Sequence, residues 1–184
     1  MPNWCNNVAH IRHADKAVID KIEAAAESGV LQALLPCPQE LLDTTAGSFG
    51  DEDKQRDLEA REAANFAKYG AKNWYDWCIA NWGTKWDLCE CTATRNDDNS
   101  VTLTFDTAWA PPIDAYETLE GQGFEIEAFY YEPGMAFCGI YENGVADDYE
   151  IPGSSDEAAK VIPRAIDEMF NIVGQMEEWE ADEA

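Results

Sequence analysis

Lys85 to Trp109, KWDLCECTATR-NDDN-SVTLTFDTAW, alternates apolar and polar residues on either side of a polar turn. A period of two interrupted by a short Asn/Asp turn is the pattern of a β-hairpin with one buried face. The alternation places Trp86, Leu88 and Glu90 on one face of the first strand and Asp87, Cys89 and Cys91 on the other. In the second strand Val101, Leu103 and Phe105 form the apolar face. Downstream, PPIDAYETLEGQG reads as a short helix opened by Pro111 and Pro112, where a missing N–H costs nothing, and closed by glycines. FEIEAFYYEPGMAFCGIYENGVADDYEI then supplies two or three strands that turn at Pro133-Gly134 and Asn143-Gly144.

Upstream, NWCNNVAHIR reads as a first strand, and DKAVIDKIEAAAESG as a helix with Val18, Ile19, Ile22 and Ala26 at helical spacing and Gly29 as its stop. Between this pair and the hairpin lie a proline-broken stretch, LQALLPCPQEL, a polar loop, DTTAGSFGDED, and a charged helix closed by Gly70. The last segment before the hairpin is NWYDWCIANWGTKWD. As a helix it carries Trp74, Tyr75, Cys78, Ile79 and Trp82 on one arc and ends at Gly83. So wide an arc predicts a helix packed from two sides. A base-stacking platform would need cations along the phosphates, and only Lys68, Lys72 and Lys85 are near.

The expected fold is therefore α+β: a ferredoxin-like (split βαβ) antiparallel sheet with a helical insertion and an acidic C-terminal helix. Residues 1–151 form the ferredoxin-like domain, with the insertion at about 30–85 bearing the Trp-rich helix, and 152–184 form the acidic helical extension. That last helix starts at a serine cap with Asp156 and Glu157 in its first turn, and Pro163 kinks it.

Hydrophobic residues make up 46% of the 184-residue chain, enough for a core despite 37 acids against 12 bases and a formal charge of −25. No segment resembles a signal peptide, and no apolar run approaches the roughly 18 residues of a membrane span, so a cytoplasmic protein with no membrane partner is expected. The six cysteines are expected to be reduced, half-buried side chains.

Three stretches, MPNWCNN, LLPCPQEL and above all YGAKNWYDWCIANWGTKWD, resemble the YubB ferredoxin-like proteins of bacteriophages and conjugative plasmids. The resemblance spans roughly residues 1 to 140 and implies a fold and a mobile-element origin. It transfers no catalytic residue.

Chemistry points away from catalysis. Cys89-x-Cys91 on a strand is a poor chelate, even with Cys5, His10 and His13 on a neighbouring strand, and iron–sulfur spacings are missing. Cys37 between two prolines has no histidine near it in sequence. No catalytic residue, metal or cofactor is assigned. Direct nucleic-acid binding is opposed by the field of the whole chain, leaving only a patch of Lys68, Lys72, Lys85 and Arg95. The inverse is favoured: dense carboxylates imitate the charge of duplex DNA, presented about every 1.7 Å along its axis, and dock on a host DNA-binding or DNA-processing protein of a defence system. Asp147, Asp148, Glu150, Glu177, Glu178 and Glu180 are the candidate contacts. The alternatives are an interaction module or oligomer using the open sheet face, and a small metal-dependent enzyme.

Overall fold

A computed structural model describes residues 3–182. The chain runs β1 (Trp4–His13), α1 (Lys16–Ala25), α2 (Val30–Leu34), α3 (Gln39–Leu42), α4 (Glu52–Tyr69), α5 (Trp74–Trp82), β2 (Cys89–Asp97), β3 (Ser100–Ala108), α6 (Ile113–Glu120), β4 (Phe124–Glu132), β5 (Phe137–Glu142), β6 (Val145–Glu150), α7 (Ser155–Val161), α8 (Arg164–Phe170) and α9 (Ile172–Asp182). The strands form one sheet of α+β type in the order β2-β3-β1-β4-β5-β6, antiparallel throughout.

The period of two decides what each face meets. On the first face Cys5, Ala9 and Ile11 of β1 align with Val101 and Leu103 of β3 and with Ile126, Ala128 and Tyr130 of β4. These residues pack on Ile19 and Ile22 of α1 and on Tyr116 and Leu119 of α6, forming the main core. The hairpin departs from the expected alternation near its start and again beside its turn, where the register shifts between Arg95 and Asp97. Glu90 has φ 48° and the β2–β3 register shifts between Cys89 and Thr92, so a bulge inserts one residue. Leu88 therefore shares the core face with Cys91 and Ala93, while Glu90 points to solvent.

The second face is covered only over β4, β5 and β6. Phe129, Cys138, Ile140 and Tyr149 pack there against Ala158, Ile162, Ile166 and Ile172. The expected single, kinked C-terminal helix is thus three short ones. Ser154 caps α7, Pro163 precedes α8, and Asn171, in the left-handed conformation, separates α8 from α9. Proline cannot continue the i→i−4 ladder, and the resulting breaks let the segment fold back onto the sheet. Over β2, β3 and β1 the second face is open and polar, carrying Thr92, Thr94, Thr102, Thr104, Asn6 and His10.

The insertion builds a satellite core from Leu31, Cys37, Leu41, Ala71, Cys78 and Trp82, seated on Ala115 of α6. Helix α5 buries one stripe rather than two sides: Cys78 and Trp82 are covered, Trp74 and Trp77 pack beside them, and Ile79 is exposed. Asn81, Trp82, Gly83, Thr84 and Asp87 of the NWGTKWD block are each tied to a neighbour. Asn81 donates to the Trp77 carbonyl (2.8 Å), and the Trp82 indole N–H donates to the Leu35 carbonyl (2.9 Å). Gly83 ends α5 with φ 77°, so close to α6 that a Cβ would lie 2.8 Å from an Asp114 oxygen. The buried Thr84 hydroxyl donates to the Ala108 carbonyl (3.3 Å). Asp87 accepts from the Leu31 and Gln32 N–H groups (2.9 and 2.7 Å), capping α2 from the far end of the insertion.

Candidate functional site

The six carboxylates expected from sequence occupy three settings. On the edge strand β6, Asp147 faces the same side as Tyr149, whereas Asp148 and Glu150 face the opposite side. Asp148 and Glu150 line a cleft of about 540 Å³ with Ile113, Phe137 and Tyr130, whose hydroxyl donates to Asp148 (2.8 Å). Burial, and then that hydrogen bond to Asp148, push the Tyr130 phenol well above its usual range. On α9, Glu177 and Glu178 are exposed. Glu180 is spent within the fold: its oxygens accept from the Ser155 N–H (2.8 Å) and hydroxyl (2.6 Å), closing α9 onto the start of α7. These hydrogen bonds hold its carboxyl below the ordinary range. The six therefore do not form one row.

A denser set of acids lies at the end of the sheet where β1 finishes. Glu125 and Glu127 project from the start of β4 on the second face, where both are exposed, and Glu127 stands directly across from Glu142 of β5. Like charges directly opposite on neighbouring strands destabilise a sheet. Glu120, on α6, accepts from the Tyr141 hydroxyl (2.8 Å) and completes the wall of a groove of about 580 Å³. The groove also takes in Asp97, His10 and Arg12; Arg12 is 4.0 Å from Asp97, and His10 is within hydrogen-bond distance of Thr102 (2.9 Å). Sequence reasoning weighed the acid-rich C-terminus and passed over these glutamates. Their signal was present in FEIEAF, whose acids recur every second residue and so must share a face.

Elsewhere the few cations are dispersed. Lys68 pairs with Glu40 (2.8 Å), and Arg95 pairs with Asp20 and with Glu23 (3.0 Å). Lys68, Lys72, Lys85 and Arg95 thus do not join into a phosphate-binding patch, since two of them already meet carboxylates.

Nucleophilic chemistry finds little support in the thiols. All six cysteines are free. Burial pushes Cys5 and Cys78 up to about 12 and Cys91 and Cys138 to about 11, and it raises Cys37 and Cys89 as well. A thiol so shifted stays protonated at neutral pH, and the thiolate is the nucleophile. Among the described residues, no three His, Cys, Asp or Glu side chains converge as metal ligands. Among the described residues, too, no helix is long and apolar enough to cross a membrane.

No protein-family model and no curated protein matches the chain. Among solved structures, the chain is similar to protein api92 from Yersinia pseudotuberculosis, placed in the family DUF1281, at 13% identity and a TM-score of 0.43, with 83% of this chain and 99% of that one covered.

Proposed function

We propose that this chain is a non-enzymatic binding protein of a phage or plasmid, a ferredoxin-like domain extended by the β5–β6 hairpin, whose acidic surface docks on a basic DNA-handling host protein in the place of DNA. The fold reading is supported by β2-β3-β1-β4, in which β1 and β2 run the same way with β3 between them. That is the arrangement of a split βαβ unit. The mobile-element reading rests on the resemblance of the NWGTKWD region.

One observation carries the functional reading: Glu127 and Glu142 face each other across neighbouring strands in a groove that also holds Glu120 and Glu125. The sheet retains a repulsion that a cationic partner would relieve. Asp147, Asp148, Glu150, Glu177 and Glu178 extend the negative field beyond the groove, while Glu180 serves the fold. Charge complementarity of this kind speeds encounter, selects basic partners and weakens with salt.

The test is an affinity capture of lysate proteins on the tagged chain, eluted with a salt gradient and repeated with duplex DNA as competitor. A DNA-binding protein released by moderate salt and displaced by DNA is the expected result. Equal capture by the Glu127→Lys, Glu142→Lys double variant would remove the groove from the interface. A partner that resists high salt would move the contact to another surface.

A further inference from the structure

At the other end of β1 the molecule gathers aromatic rings around one cation. The Lys85 ammonium lies 4.3 Å from the centroid of the Trp86 ring, 5.3 Å from that of Trp109 and 5.8 Å from that of Tyr75. Among the described residues, ion pairs engage Arg12, Lys16, Arg56, Lys68, Arg95 and Arg164. Lys85 is outside that set, as are Lys21, Lys54, Arg61, Lys72 and Lys160, and of these six, among the described residues, Lys85 is the one that lies over ring faces. Ring faces attract the ammonium but accept its N–H groups poorly, so its hydrogen-bonding capacity is left for something outside the fold.

A cleft of about 450 Å³ opens beside this cation, lined by Trp74, Tyr75 and Trp109 and also by Asn73 and the Asp76 carboxylate. The Tyr75 and Asp76 N–H groups of α5 do not serve it, because the Asn73 side chain already accepts from both (3.0 and 3.2 Å). Lys85 is therefore the anion contact of the cleft. Trp109 is the unusual wall. Its φ is 70°, a region that bulky side chains avoid, and its N–H is pinned to the Asn3 carbonyl (3.0 Å). The ring so held remains 41% exposed, so the disfavoured backbone is not offset by burying it. What the conformation achieves is to stand an indole face beside the lysine.

We propose that this cleft binds a flat aromatic or heteroaromatic ring bearing a single anionic group, with the ring stacked on Trp109 and the anion on Lys85. The ring is required by the indole walls, which gain most from offset or edge contact with another π system. The single charge follows from the field of a chain at −25, which opposes each added negative charge on a ligand. A carboxylate is thereby preferred to a phosphate monoester. An ammonium ligand is disfavoured, because Lys85 already occupies the position a cation would take.

The test uses the full chain and three probes, 2-naphthoate, 2-naphthamide and adenosine monophosphate, with binding read by calorimetry and ligand-observed NMR. Naphthoate is expected to bind, and the uncharged amide about tenfold more weakly or worse. Lys85→Met should cost about the same factor while keeping the aliphatic stem, Lys85→Arg should retain binding, and Trp109→Ala should lose about tenfold through stacking. Unchanged melting temperatures in these variants separate lost binding from lost folding. Equal binding of acid and amide, insensitivity to Lys85→Met, tighter binding of the nucleotide, or no binding of naphthoate up to its solubility limit would each overturn the proposal.

Discussion

The two ends of β1 treat charge in opposite ways. At the Trp4 end, the Lys85 ammonium lies over ring faces, outside the ion pairs of the described residues, and the Trp4 ring is tilted against Trp86 with centroids 6.1 Å apart. At the His13 end, glutamates crowd one groove and face one another across strands. Both ends belong to the same sheet and the same strongly acidic chain. Net charge thus sets the far field of this molecule but says little about the potential within any one cleft. What does decide it is which side chains the strand register and the loops bring to the rim. The tryptophans repeat the lesson on a smaller scale: Trp82 is 3% exposed and serves the satellite core, while Trp109 and Trp4 stay at the surface.

The largest expected effect lies under the aromatic end. Trp82→Ala removes a buried indole and leaves the Leu35 carbonyl without its donor. It should cost about 3–5 kcal/mol in urea denaturation, within the range for core aromatics. A loss under about 1 kcal/mol would mean that the insertion is loosely seated and that the cleft above it is not a rigid site.

Next in size is Asp87→Ala, which uncaps the Leu31 and Gln32 N–H groups. A loss of about 1–2 kcal/mol is expected, with hydrogen exchange accelerated first in α2. Uniform acceleration across the sheet would show instead that Asp87 supports the hairpin rather than the insertion.

At the acidic side, Glu180→Ala should lower the melting temperature at pH 7 through loss of the Ser155 contacts. The sign of its pH dependence follows from a folded pKa held below the ordinary value of 4.5. The stabilisation is present above the unfolded pKa and disappears as pH falls through the folded one. Wild type and variant should therefore converge in acid, as a melting series from pH 7 down to strongly acidic buffer would record. A gap that persists in acid would assign the effect to packing of α9 and not to its carboxylate.

The smallest effect is the most diagnostic of the groove. Glu127→Lys replaces a like-charge cross-strand pair with an opposite-charge one. Stability should rise by about 0.2–1 kcal/mol at low salt, and the gain should fade as salt is added. Neutral or adverse stability would show that the glutamates splay into water and that the groove stores no repulsion.

Much of this architecture was legible in the residues. The αL stops at Gly70 and Gly83, the turn at Asn143-Gly144 and the second hairpin strand, Ser100–Ala108, stand where composition placed them, while the first hairpin strand begins at Cys89 rather than at Lys85. Local rules suffice there, because a positive φ or a two-residue period is enforced within a few residues of chain. The bulge at Glu90 was not legible. A single inserted residue flips every side chain that follows it, and nothing in the composition around Glu90 announces it. The folding-back of α7, α8 and α9 was half legible: Pro163 signals a break, but α8 packs on β4 and β5, more than ten residues earlier, and α9 closes back onto α7.

Sequence by itself determined the strand and helix periods, the caps and turns, the strongly acidic field and the absence of any spacing suited to a metal cluster. Those are properties of neighbouring residues or of sums over the chain, and both survive without knowledge of contacts. Tertiary structure alone decided that Glu127 meets Glu142, that Glu180 closes onto Ser155, and that Lys85 finds Trp109 and Tyr75. Each of these pairs joins separate elements, and only strand register and helix packing bring such distant residues within reach of one another.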